Sequence, residues 1–291
     1  MKKIVLTLAA LSFAGFVAAQ NNYSSVSSNG NNNVATVNQA GGWNGSYVYQ
    51  SGNGNNATTD QSGLSNSGSQ SQYGDDNVAS ISQIGNYNYG NQFQYGQNNA
   101  AKLSQNGGGN VSSSNQYGGD NTASGSQEGD NNYTGESYLS GQTQSGFGND
   151  LTFVQQGNGN FALQYQEGNG NIGAATQIGS GNRANQLAWG NGNNAQAAQY
   201  GGGNVAYQLQ GVLFMSGWYY YGSFSSDNDA TLTQDGFDNY SFQSQLGDGN
   251  NSVTTQLGSL NSASTFQNGT GHMSNIMQNG SGNVATVTQN N

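Results

Sequence analysis

The sequence predicts an all-β chain wound into a β-solenoid, and three observations carry that prediction. One eleven-residue unit, Asn-x-(Ala/Ser/Gly)-x-x-x-Gln-x-Gly-x-x, recurs from Asn33 to Gln289. Its four defining positions before the glycine are two residues apart, the spacing that places side chains on one face of a strand. Its glycine returns at the same point of every unit, where a tight turn belongs. A short fixed period of this kind implies a stack in which each unit meets only its neighbours.

The register is tight. Units open at Asn33, Asn44, Asn55, Asn77, Asn99, Asn160, Asn204, Asn250 and Asn283, among 22 such positions of which only His272 departs. Six residues on stand Gln39, Gln50, Gln61, Gln83, Gln105, Gln166, Gln210, Gln256 and Gln289. Ala188 is the one replacement, if Gln144 serves the unit that opens at Asn132. Disordered low-complexity chains do not hold such a register. A helix is excluded because glycine would interrupt it within two turns.

Within a unit, the sets Asn33, Ala35, Val37, Gln39 and Asn77, Ala79, Ile81, Gln83 should face inward. The small third residue suits a narrow interior between two sheets. Alternate positions such as Tyr47, Tyr49, Lys102 and Tyr207 should face outward. The turn glycines, Gly41, Gly52, Gly63, Gly74, Gly85 and Gly96 among them, should take positive φ.

The fifth position reveals a longer period. In alternate units it reads Val37, Thr59, Ile81, Leu103, Gly125, Phe153, Ala175, Ala197, Leu232, Thr254 and Ile276, without a Gln. In the others it reads Val48, Gln70, Gln92, Ser114, Gln142, Gln164, Gln186, Gln208, Gln243, Thr265 and Val287, seven of them Gln. The structural period is therefore twenty-two residues, or two strands per rung. Eleven rungs, each a strand-turn-strand arch, would stack to roughly 50 Å at about 4.8 Å per rung. Asn and Gln would then form hydrogen-bonded ladders along the axis, satisfying amides that would otherwise be stranded inside. Tyr73, Tyr95 and Tyr117, twenty-two apart, should form an aromatic ladder outside.

Two insertions interrupt the spacing without disturbing the alternation. Six extra residues fall near 133–143, and thirteen fall within 211–227. The second holds the most apolar stretch after the N-terminus, including Leu213, Phe214, Trp218, Tyr219, Tyr220 and Tyr221. It either projects to meet a partner or surface, or folds over neighbouring outward aromatics.

Composition bounds the remainder. The chain has 291 residues with 47 Gly, no Pro and no Cys, so neither a bulky globular core nor disulfides hold it. Met1-Lys2-Lys3, the apolar run Ile4 to Phe16 and Val17-Ala18-Ala19 read as a signal peptide over 1–19, cleaved between Ala19 and Gln20. Its apolar run is too short to span a bilayer. Loss of Lys2 and Lys3 leaves Lys102 and Arg183 against 14 acidic residues and takes the formal charge from −10 to −12. Such a surface repels nucleic acid and anionic lipid; no insertion into a membrane is expected either.

No catalytic, metal-binding or cofactor-binding set emerges. His272 is the one histidine and occupies an Asn position, and Glu128, Glu136 and Glu167 lack identifiable partners. Calcium-binding nonapeptide rolls have period nine, whereas here Asp75, Asp120, Asp130 and Asp248 occupy only some turns. Those aspartates read better as charges that slow premature association. An ice- or glycan-binding solenoid would present a regular outward array, whereas the repeated motif here is inward.

Asn-x-Ala-x-x-x-Gln-x-Gly-x-x-Asn repeats behind a signal peptide resemble the curlin family, the subunits of bacterial curli amyloid. The likeness spans essentially the whole mature chain. It implies export through an outer-membrane secretion pore, self-assembly on the cell surface, a nucleator as partner, and roles in biofilm matrix and adhesion to host or matrix surfaces. It also makes 20–32 the secretion-targeting segment and 33–291 the repeat solenoid. The chain departs from the best-known members in its doubled repeat number and two insertions, leaving major subunit, nucleator and monomeric adhesin as alternatives. Because the last unit, ending in Gln289, nearly duplicates the first, both ends should template head-to-tail stacking into an open filament.

Overall fold

A computed structural model describes residues 21–135, 141–214, 220–222 and 225–291. The expected signal peptide, with Ala19 and Gln20, lies outside them. The described residues contain strands and turns without a helix. Each repeat unit is one strand, and successive strands alternate between two parallel sheets. Each strand of these two sheets pairs with the strand one full rung away, so Gln61 lies beside Gln83 and Gly63 beside Gly85.

The two sheets differ as the fifth position differs. One holds the apolar set, from Val34–Gly42 to Met273–Ser281, in eleven strands. The other holds the extra glutamines and runs from Tyr23–Asn29 to Val284–Asn290. We call them the apolar and the glutamine sheet. The glutamine sheet contains fourteen strand segments. Gln142–Phe147 shares a level with Tyr133–Thr134, and Ser225–Ser226 shares one with Val205–Gln210, which leaves twelve levels.

The core lies between the sheets. Ile81, Leu103, Phe153, Ala175, Ala197 and Leu232 of the apolar sheet pack on Ala162, Ala184 and Ala206 of the glutamine sheet. Small residues opposite large ones keep the sheets close. A Cβ on Gly90 would lie 2.8 Å from Leu103 Cδ2, closer than packed carbons approach. The alternation also leaves Tyr47, Tyr49 and Lys102 outside and exposed.

The turns require glycine twice over. Gly74 has φ of 107°, and a Cβ there would lie 2.0 Å from the carbonyl oxygen of Gly96 in the next rung. Two residues later comes a second positive-φ position, filled by Gly, Asn or Asp in most turns but by Trp43, Ser65, Tyr87 and Leu260 in others. Periodicity alone carries no separate sign of this site.

Both insertions leave and rejoin the stack in register. Thr134 pairs with Ala162 and Gln142 with Gln164, so the six extra residues lie between Thr134 and Gly141. In the second, Gln210 keeps its ladder place and Ser225 lies beside Gly190, taking the turn-glycine position. The excursion is therefore narrower than 211–227: Gly211, Ser225, Ser226 and Asp227 remain part of the arch. Val212–Phe214 and Tyr220–Gly222 pair antiparallel. This hairpin lies near the strands Arg183–Asn191 and Tyr240–Leu246. Leu187 and Leu209 of the glutamine sheet occupy outward positions yet are buried, packed with Tyr165, Trp189 and Phe242.

Tyr23–Asn29 is the addition that the repeat count did not include. It pairs in register with Gly45–Ser51 and lies within the segment 20–32. Asn22 stands one unit before Asn33, and Ser24, Val26 and Ser28 follow in the inward positions.

Candidate functional site: the amide ladders and the open edges

Asparagine locks the turn. Asn55 Oδ1 accepts from both the backbone N–H and the side-chain Nδ2 of Asn77, at 3.1 Å each, while Asn77 Nδ2 donates to Gly96 O at 2.9 Å. The same arrangement runs from Asn33 through Asn99, Asn160 and Asn204 to Asn239 and Asn261. Asn44 bonds in this way to Asn22, Asn250 reaches Asn228 Oδ1, and Asn283 reaches Asn261. Each amide thus replaces the water that a turn carbonyl and a strand-end N–H would otherwise need.

Glutamine ties the sheets together and the rungs to one another. Gln72 Nε2 donates to Asn56 O of the opposite sheet, to Asn77 O just past the following turn, and to Gln94 Oε1 one rung on, all within 3.0 Å. Gln39, Gln61, Gln83 and Gln105 form one such column, and Gln256 continues it to Gln278. The other column holds Gln50, Gln166, Gln210 and Gln289. A second glutamine column follows the fifth position, with Gln164, Gln186, Gln208 and Gln243 bonded in succession at 2.7–2.9 Å.

The column is broken where the sequence breaks it. Ala188 replaces a Gln, and Oε1 of Gln210 in the next rung is buried without a hydrogen bond. Ser28 occupies the same position one rung before Gln50, and Gln50 Oε1 is likewise buried and unpaired.

A turn ladder that sequence reasoning missed lies outside. Asp75 Oδ1 accepts from the backbone N–H of Asn53 at 2.8 Å, Asp130 from Gly108 at 2.7 Å, and Asp248 from Ser226 at 2.8 Å. Asn86, Asn158, Asn169 and Asn191 do the same for other turns. The available sign was the Asn or Asp that often follows the turn glycine. These aspartates therefore hold adjacent turns together, whatever charge they also contribute.

The outer face of the glutamine sheet carries the close aromatic pairs, arranged differently from a straight column. Close ring pairs zigzag from Tyr49 to Tyr73 at 5.1 Å, Tyr73 to Phe93 at 5.6 Å and Phe93 to Tyr117 at 5.6 Å, with Tyr73 and Tyr95 at 6.3 Å. The bulk of Phe93 between two tyrosine rungs supplies the nearer partner. His272 sits in the Asn column; its backbone N–H reaches Asn250 Oδ1 at 3.0 Å, and its ring lies 3.1 Å from Asn291 Oδ1.

The outermost strands leave these columns open. Gln289 Nε2 donates to Met273 O at 2.9 Å, where the interior Gln267 donates both to Asn251 O and to the next glutamine. Val284 and Met273 are largely exposed on these edges.

A two-sheet parallel solenoid held by inward amide columns and glycine arches defines a repetitive structural scaffold. A model of the curlin associated repeat matches residues 30–63 and 226–258. These two matches support a curli-related structural protein. No match is found among curated proteins.

Proposed function

We propose that this protein is a secreted subunit of curli-like amyloid fibres, growing head to tail by strand stacking at the cell surface. The observation that carries this reading is the identity of edge and interior. The exposed strand Val284–Asn290 presents Asn283, Ala285, Val287 and Gln289, the same kind of inward set as Asn33, Ala35, Val37 and Gln39 at the opposite end. An open parallel edge offering the pairing pattern of the interior is a template for another copy. Such a contact is heterologous and does not close. A signal peptide over 1–19, passage through an outer-membrane pore, a nucleator partner and a contribution to biofilm matrix and adhesion complete the proposal.

The test begins with the chain from Gln20 to Asn291 diluted from denaturant into calcium-free buffer. Thioflavin-reported growth that responds to seeds, with fibre reflections at about 4.7 and about 10 Å, supports the reading. A soluble monomer stable for days would reject it in favour of a monomeric adhesin.

A further inference from the structure

We infer that the strand Tyr23–Asn29 is a displaceable occupant of the site that receives the Val284–Asn290 strand of a second copy. The inference rests on the head-to-tail reading above and specifies its junction. Tyr23–Asn29 covers Gly45–Ser51 in full register, and Asn22 Oδ1 accepts from Asn44 N–H at 3.0 Å, so this strand completes the asparagine column. It does not complete the glutamine column. Ser28 carries no side-chain amide, and the buried Gln50 Oε1 goes unpaired. The break at Ala188 has the same consequence for Gln210, so the orphaned oxygen follows from the missing amide and from nothing peculiar to the edge. A buried acceptor left in this state weakens the hold of the strand that covers it.

The group that fits stands at the other end. In each unbroken rung of this column the side-chain amide of one Gln donates to Oε1 of the Gln in the next rung, as Gln50 does to Gln72 at 3.0 Å and Gln267 to Gln289 at 2.9 Å. Among the described residues Gln289 has no Gln beyond it. Placed on Gly45–Ser51 of a second copy, the strand Val284–Asn290 brings Gln289 Nε2 to Gln50 Oε1 and Asn283 Oδ1 to the Asn44 N–H.

Strand count makes the displacement necessary. Among the described residues the glutamine sheet has twelve levels and the apolar sheet eleven. If Val284–Asn290 stacked on Tyr23–Asn29, the glutamine sheets would join while the apolar sheets stood one level apart, with open backbone groups between them. With Tyr23–Asn29 lifted, each copy contributes eleven levels to both sheets. Val284–Asn290 then pairs with Gly45–Ser51 while Met273–Ser281 pairs with Val34–Gly42, and Gln278 meets Gln39. Every junction therefore requires one copy to release its first strand, which makes that strand a brake on assembly.

A reversible cross-link tests this. Ser25 and Tyr47 are register partners on the outer face, neighbouring strands lie about 4.8 Å apart, within the span of a disulfide, and the chain has no cysteine to interfere. In the Ser25→Cys/Tyr47→Cys protein, growth on wild-type seeds should fall at least about tenfold when oxidised, a penalty of about 1.4 kcal/mol or more on the growth barrier, and return to the wild-type rate on reduction. Equal growth of oxidised and reduced protein would overturn the inference. Ser28→Gln supplies the missing amide without a cross-link and should slow seeded growth several-fold; unchanged or faster growth would count against it. Failure of the wild-type chain to form fibres would instead reject the assembly reading itself, so the two failures are distinct.

Discussion

The ring of Phe153 fills the space in which Gly125 would carry a side chain: a Cβ on Gly125 would lie 2.2 Å from Phe153 Cζ. The two residues are register partners in adjacent rungs of the apolar sheet, and Phe153 is among the largest fully buried side chains. A thin core has no depth over which to spread a defect, so volume must be shared between successive rungs. Phe153→Ala should therefore cost about 3–5 kcal/mol, read as a lower urea midpoint of the soluble form. Gly125→Val should cost about 1–3 kcal/mol by overpacking. A loss below about 1 kcal/mol in both would mean that the rungs relax around the change.

Restoring the broken glutamine column should stabilise the stack. Ala188→Gln places an amide between Gln166 and Gln210 and gives Gln210 Oε1 its missing donor. The expected gain is about 1–2 kcal/mol in denaturant unfolding, because a buried unsatisfied acceptor is removed and new hydrogen bonds form. Ala188→Leu, of similar length but without the amide, should not show the gain. Equal effects from Gln and Leu would assign the benefit to apolar filling.

The turns allow a prediction of opposite signs. Gly74→Ala combines a φ of 107° with a 2.0 Å approach to Gly96 O, and should destabilise by at least about 2 kcal/mol. Leu260 occupies the second positive-φ position at φ of 59° with its side chain exposed. Leu260→Gly should stabilise by up to about 1 kcal/mol, since the left-handed conformation penalises Leu while the flexibility of Gly offsets part of the gain. Thermal unfolding of the two variants beside the wild type checks both signs.

Much of this architecture was legible because one inward motif repeats, and the physical reason lies in stacking: identical amides must meet rung after rung. Gln70, Gln92 and Gln164, at a position where alternate units carry no Gln, mark two strands per rung. What escaped was whatever departs from the motif while keeping its register. Asn22, Ser24 and Gly30 sit on the repeat, but Ser28 stands where its Gln belongs, so the unit falls outside the repeat count and within the expected secretion-targeting segment 20–32. The zigzag from Tyr73 to Phe93 depends on ring reach between rungs, which periodicity alone does not encode. The outward Leu187 and Leu209 are buried with Tyr165, Trp189 and Phe242 in a cluster that no repeat rule specifies.

Alkaline pH should weaken the solenoid partly through Tyr165. Burial against the outer aromatic face, then the charge of Glu167 and the 3.0 Å hydrogen bond that the phenol donates to it, push the Tyr165 pKa up to about 12. In the unfolded chain the phenol titrates near its ordinary value of about 10. Between those values the unfolded state binds fewer protons than the folded one, so stability falls as pH rises. The full contribution is present below about pH 10 and is lost as pH passes about 12. Tyr165→Phe removes the titration along with the hydrogen bond. The wild type should therefore match or exceed the variant in denaturant midpoint at pH 8 and fall below it at about pH 11.5. Parallel curves across that range would mean that the folded phenol ionises as freely as the unfolded one.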